Sequence, residues 1–281
     1  MTPSLPDLDR VERSVDAVLA GEAAEPDDGF RAVADDESEF ITALANEAAR
    51  KLEGAPAASV LAWAAAVVPR FAVTSSFGAD SAVLLHLLST TAPHVPVLFL
   101  DTGLHFDETI TFRRELAGQL GLSVIDVAPH RSVAQQEADE GPELWRRDPD
   151  RCCGLRKTAP LRQMMRSFDG WATGVRRVQT PERAGVPVVE PRRHHDRWLV
   201  KVAPLARWTD QDVDDHLWAH DLPRHPLVEH GYRSIGCAPC TVRVAPGEDP
   251  RAGRWAAFDD KTECGIHLDE SGEVRRAVTP G

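Results

Sequence analysis

Two pairs of cysteines and a solitary fifth carry the densest chemistry in this sequence. Cys152 and Cys153 are adjacent in RCCGLRK (151–157), Cys237 and Cys240 frame CAPC, and Cys264 stands in KTECGIH (261–267). Adjacent residues are poor disulfide partners, because a bridge needs side chains that converge. Five cysteines are also an awkward disulfide framework and a better fit to four ligands plus one reactive thiol. A Cys-x-x-Cys turn with Pro239 inside it aims both sulfurs at one centre. Four thiolates suit zinc or an iron–sulfur cluster, and a dithiol redox pair is the lesser alternative for CAPC alone. Zinc remains open on spacing, although common zinc modules separate paired cysteines by two to four residues.

Cys264 is left over. Lys261 and His267 favour its thiolate, whereas Glu263 opposes it. A thiol on a tail suits nucleophilic attack followed by handover to a partner; the alternative is an incidental exposed thiol.

A second set of residues reads as an anion and nucleotide site. TSSFGADS (74–81) follows a strand and opens a helix, so its free N–H groups and the helix dipole favour an anion. Ser75, Ser76 and Ser81 add hydroxyls, and Phe77 and Gly78 complete the turn. It lacks the GK[ST] of a Walker loop, and a plain structural turn is the competing reading. Asp101, Thr102 and Gly103 end the next strand, where a carboxylate and a hydroxyl could meet ribose or adenine. Asp101 capping a turn is the alternative.

Cations are available for phosphate or sulfate: Lys157, then Arg176 and Arg177 after Gly174, then Arg251 and Arg254 in the tail. Arginine offers a bidentate fork and lysine a point charge. For the two tail arginines, a solvated surface is the alternative. Arg156 is read as a structural brace. His194 and His195, in RRHHDR, are expected on a solvated strand or loop and are given no role.

The elements that must position these groups follow from periodicity. Helical spacing marks 39–52 and 57–68, with strands near 71–78, 95–103, 123–129, 170–177 and 199–206. Helices are expected over 79–90, over 108–121 with Gly121 as the stop, and over 210–220 with Thr209 as the cap. Such alternation predicts an α/β fold, a mostly parallel twisted sheet with helices on both faces. Ligands then sit beyond the C-terminal strand ends, where both candidate loops fall. The expected organisation is a mobile acidic arm over 1–35, an α/β nucleotide-binding domain over 36–222, and a segment over 223–281 laid on that domain. That last segment carries CAPC and the Cys264 tail.

The net charge of −12 argues against a general nucleic-acid surface, and no apolar run is long enough to suggest a membrane span. The N-terminus shows no secretory pattern, so a cytoplasmic location is expected. A homo-oligomer is compatible with the sequence, which does not specify one.

Taken in order, SSFGADSAVLLHLL, LDTG, RCCGLRKTAPL, WATGVRR, SIGCAPCT, RAGRW and KTECGIH resemble a known family. It is the assimilatory adenylyl-sulfate reductases, the iron–sulfur branch of the phosphoadenylyl-sulfate reductase family. The resemblance spans about Phe71 to His267; one departure is Asp80, where the family often has Glu or Lys. It implies an adenine-nucleotide α-hydrolase-like fold and thioredoxin-dependent reduction of adenosine 5′-phosphosulfate to sulfite and AMP. It further implies a [4Fe-4S] cluster on Cys152, Cys153, Cys237 and Cys240, with Cys264 as the nucleophile. Both cysteine pairs point to the substrate without a 3′-phosphate. The competing readings are a reductase of the 3′-phosphorylated substrate, or of both, and a zinc-containing ATP-pyrophosphatase-type nucleotide-binding protein.

Overall fold

Successive residues of the central strands enter two different cores, as a sheet covered on both faces requires. Phe71 and Val73 join one apolar cluster while Ala72 joins the other; Val97 and Phe99 likewise alternate with Leu98. The computed structural model describes residues 37–258 together with Arg13, Asp16, Ala17, Ala20, Lys261 and Glu263. The expected N-terminal arm lies almost wholly outside the described residues.

The sheet has six strands in the order β3-β2-β1-β4-β6-β5. They are β1 (Phe71–Ser75), β2 (Val97–Phe99), β3 (Val124–Asp126), β4 (Gly170–Thr173), β5 (Val189–His194) and β6 (Arg197–Val202). All neighbours are parallel except β5 against β6. The chain winds outward from β1 through β2 to β3, then restarts at β4 on the other side of β1. The crevice between β1 and β4 is therefore the switch point at which open α/β sheets bind ligands.

The helices cover the sheet through apolar stripes. In α1 (Glu37–Leu52), Leu44, Ala48 and Leu52 are fully buried at a four-residue spacing. They meet α2 (Ala57–Val67) and α3 (Ser81–Thr91) in the larger core. Next come α4 (Asp107–Leu120), α5 (Val133–Glu140) and α6 (Pro149–Cys153). Gly121 stops α4 with φ +64°, a conformation costly for other residues. A π-helical turn (Gly154–Thr158) leads from α6 into α7 (Ala159–Met164), which supplies Leu161 to the smaller core. Helix α8 (Asp210–Ala219) begins at a capping box in which Thr209 and Asp212 satisfy each other's backbone N–H.

Three elements differ from the periodicity. The polar stretch VAQQEADE forms α5 because Ser132 and Gln135 build a capping box, and the run from Pro149 to Met164 is also helical. The third is β5, whose Pro191 is tolerated at the sheet edge. At its end His194 is buried with Nε2 2.8 Å from the Arg162 carbonyl, rather than solvated; His195 forms the exposed turn at φ +57°. No helix among the described residues is long and apolar enough to cross a membrane.

Candidate active site

Two cavities share a wall. The first holds the cysteines. Cys152 and Cys153 close α6, where the π-helical turn widens the backbone and directs Arg156, Lys157 and Thr158 inward; all three are buried. Such wider turns recur at functional sites. Cys237 and Cys240 come from a short turn in the C-terminal segment, closed by the Cys240 N–H donating to the Cys237 carbonyl at 3.0 Å. That turn is fastened to the loop after β2: the Ala238 N–H donates to the Leu104 carbonyl at 2.7 Å, and Thr102 Oγ1 lies 3.3 Å from Cys237 Sγ. All four sulfur-bearing residues line one cavity with Trp145, Lys157 and Trp255, and none is in a disulfide.

Electrostatics in this cavity favour a polycation. Burial, then the neighbouring Cys153 and Cys237, pushes the Cys152 thiol up to about 11. Cys240 is likewise pushed up to about 11, by burial and then Cys237. Cys152 and Cys240 so placed resist ionising unless a positive centre offsets the burial and repulsion. As a donor set of soft sulfurs on opposed elements, the four cysteines fit an iron–sulfur or zinc centre.

The second cavity is a cleft over the C-terminal ends of β1 and β4. Ser75, Ser76, Gly78 and Ser81 line one side, Gly174 and Arg176 the other, and Ile235, Gly236, Arg251 and Arg254 come from the C-terminal segment. Lys157 and Trp255 border both cavities. Lys157 thus stands between the cysteines and the cleft, and its charge acts to lower the Cys240 thiol.

Arginine roles divide sharply. Arg176 is buried, and its fork donates to Asp80 at 2.7 Å and Asp210 at 2.8 Å, tying the start of α3 to the start of α8. Asp80, the departure from the family loop, thereby holds Arg176. Arg177 also lines the cleft, and its side chain donates to both Glu53 oxygens, at 2.6 and 3.0 Å, and to the Val186 carbonyl. Glu53, a carboxylate outside the cleft, takes both arms of its guanidinium. Arg156 is a brace, bonded to the Thr102 carbonyl and to Gln136. In the tail, Arg254 lies over the Trp255 ring at 4.5 Å. It rests on the bare Gly236, where a Cβ would meet its guanidinium carbon at 2.6 Å.

Four candidates do not line the cleft. Phe77 is fully buried, at φ +48°, with its ring edge-on to Phe99. The core claims it for its apolar area. Asp101 accepts from the Gly103 N–H at 2.9 Å, so it caps a turn; Thr102 and Gly103 face Cys237 and Arg156. The LDTG loop therefore supports the cysteine cavity.

Cys264 lies outside the described residues. Its neighbour Glu263 lines the cleft and accepts from Arg183 at 2.6 and 2.7 Å. Arg183 and Trp255 carry no role in the sequence reading.

Residues 70–243 match the phosphoadenosine phosphosulfate reductase domain. The chain is 47% identical over 231 residues to a Streptomyces coelicolor protein named adenosine 5′-phosphosulfate reductase, covering 82% of this chain and 96% of that one. Among solved structures it resembles phosphoadenylyl-sulfate reductase from Candida auris, with a TM-score of 0.61 and 26% identity, covering 73% of this chain and 97% of that chain. An FMN adenylyltransferase from Candida glabrata shares the fold, with a TM-score of 0.50 at 16% identity over 86% of this chain and 76% of that one.

Proposed function

The chain belongs to the phosphoadenosine phosphosulfate reductase family, and we propose that it reduces adenosine 5′-phosphosulfate to sulfite and AMP, with thioredoxin as electron donor. The observation that carries this reading is the placement of Lys157 in the wall shared by the four-cysteine cavity and the cleft. A relative at 47% identity named for this substrate supports it.

The adenylate sits in the cleft, its phosphosulfate toward Lys157 and the tail arginines, which offset the charge of two anionic reactants. The Cys264 thiolate attacks the sulfuryl sulfur. A sulfur–sulfur bond forms, the sulfur–oxygen bond to phosphate breaks, and AMP leaves with the electron pair. A thioredoxin thiolate then attacks the Cys264 sulfur and expels sulfite. The second thioredoxin thiol resolves the mixed disulfide, so the dithiol loses two electrons and the Cys264 thiolate returns.

Cys152, Cys153, Cys237 and Cys240 would hold a [4Fe-4S] cluster, which would supply the positive charge that the burial of the Cys152 and Cys240 thiols calls for. Both reducing electrons come from the dithiol. A thiolate nucleophile and a dithiol donor suit a reducing compartment such as the cytoplasm.

The test is mass spectrometry after incubation with adenosine 5′-phosphosulfate and no thiol. A sulfonate adduct on Cys264, absent in Cys264→Ser, is expected. An adduct on Cys240, or turnover by Cys264→Ser, would overturn the reading.

A further inference from the structure

Three histidines meet where α3 packs against α8. His86 lies on α3; His216 and His220 lie one turn apart at the end of α8. His86 Nδ1 is 3.0 Å from His216 Nε2. The His220 ring sits 4.4 Å from both of the others, centroid to centroid. One nitrogen from each of the three rings lies within 4.8 Å of the other two. None of the three borders the cleft or the cysteine cavity.

We propose that His86, His216 and His220 form a binding site for a divalent transition-metal ion, with zinc as its expected occupant. The spacing of His216 and His220 by four residues puts both rings on one helix face, and His86 approaches from the neighbouring helix. A tetrahedral ion with bonds of about 2.0–2.1 Å to nitrogen spaces its ligand atoms by roughly 3.4 Å. The 3.0 Å between His86 and His216, and the 4.8 Å limit on every pair, put the three nitrogens within small ring rotations of that spacing. A simple hydrogen bond would explain His86 and His216 but not the third ring drawn against both. Three imidazoles without a carboxylate select a borderline ion over calcium or magnesium, which prefer oxygen. His86 and His216 are half-buried while His220 is exposed, which leaves the fourth position open to water. Trp208 packs on the His216 ring at 5.4 Å and fixes its orientation.

The position gives the ion a structural task. Helix α3 begins at the serine loop of the cleft, and α8 begins at Asp210, which holds Arg176. An ion bridging the two helices further along pins both ends of the Arg176 tether, since Asp80 and Asp210 belong to the helix starts it joins. It adds no group to the reaction.

The experiment uses anaerobically purified, iron-loaded protein without a polyhistidine tag, so that the four cysteines are already occupied. After dialysis against micromolar zinc chloride, elemental analysis should find one zinc per chain beyond the iron. X-ray absorption at the zinc edge should show three imidazole nitrogens. His86→Gln and His216→Ala should each weaken zinc binding by more than the roughly 10–100-fold seen for supporting residues, while His94→Ala, at an exposed site, leaves it unchanged. Zinc should raise the unfolding temperature of the unsubstituted protein and of His94→Ala only. Iron content equal to that of the unsubstituted protein shows that the variants fold. No bound zinc in the iron-loaded protein, or zinc retained equally by both histidine variants, would overturn the proposal.

Discussion

Arg183 grips Glu263 through Nε and Nη2, at 2.6 and 2.7 Å, and Arg251 approaches the same carboxylate at 3.4 Å. Glu263 precedes Cys264 directly, so this two-armed contact fixes the chain one residue before the proposed nucleophile. Glu263→Gln keeps the shape and loses the charge that both arginines hold. Because misplacing a reacting group by about 1 Å costs on the order of 100-fold, kcat should fall by about 10- to 100-fold. KM should not rise, since the same arginines become more available to an anionic substrate. Steady-state kinetics check this; a raised KM with unchanged kcat would mean that Glu263 serves the substrate instead of the tail.

Lys157 is the one lysine bordering both cavities among the described residues. Lys157→Ala removes a positive charge from the shared wall, where the proposed reaction builds negative charge on the leaving phosphate. Loss of one such group costs about 100- to 1,000-fold in kcat, so kcat/KM should fall by at least that much. Iron per chain should stay near that of the unsubstituted protein, because the four sulfur ligands remain. Loss of iron together with activity would instead assign Lys157 to holding the cysteine cavity.

Much of the fold was legible because its strands are short apolar runs between well-marked helix starts and stops, such as Thr209 and Gly121. Strand β5 escaped because PRRH carries no apolar alternation; it forms by pairing with β6 across a hairpin. The cysteine quartet was legible because thiols are rare and their spacing is distinctive. How tightly each cleft arginine is held was not, because Glu53, Asp80 and Asp210 engage Arg177 and Arg176 from positions 124, 96 and 34 residues away. The pair His216 and His220 has a readable four-residue spacing, but His86 sits 130 residues from His216 inside an apolar helix.

Adjacent Arg176 and Arg177 should separate in their effects. Arg177→Ala loses a partly exposed pair with Glu53, worth up to about 1 kcal/mol, and should lower thermal stability with KM changed little. Arg176→Ala leaves Asp80 and Asp210 without their shared cation at the cleft wall. Repulsion of an anionic substrate should then raise KM several-fold. Thermal melts and kinetics on both variants check the split; equal KM values would show that Arg176, too, is only a brace.

His225 gives a pH signature independent of the cysteines. It is fully buried, with Nε2 2.9 Å from Thr109 Oγ1 and Nδ1 accepting from the Leu227 N–H at 3.2 Å. Its ring is therefore neutral, with the proton on Nε2. Burial pulls its pKa down to about 4, against a weak opposing pull from Glu108. In the unfolded chain it titrates near 6.5, so between about pH 6.5 and 4 the unfolded state binds the extra proton. The stability His225 contributes is thus complete above about pH 6.5 and declines as pH falls toward 4, by up to about 1.4 kcal/mol per pH unit. His225→Gln does not titrate. The stability difference between the unsubstituted protein and this variant should therefore shrink across that window. Chemical denaturation of both at pH 7.5, 6 and 5 measures it, and a difference constant with pH would show that His225 is not held neutral by burial.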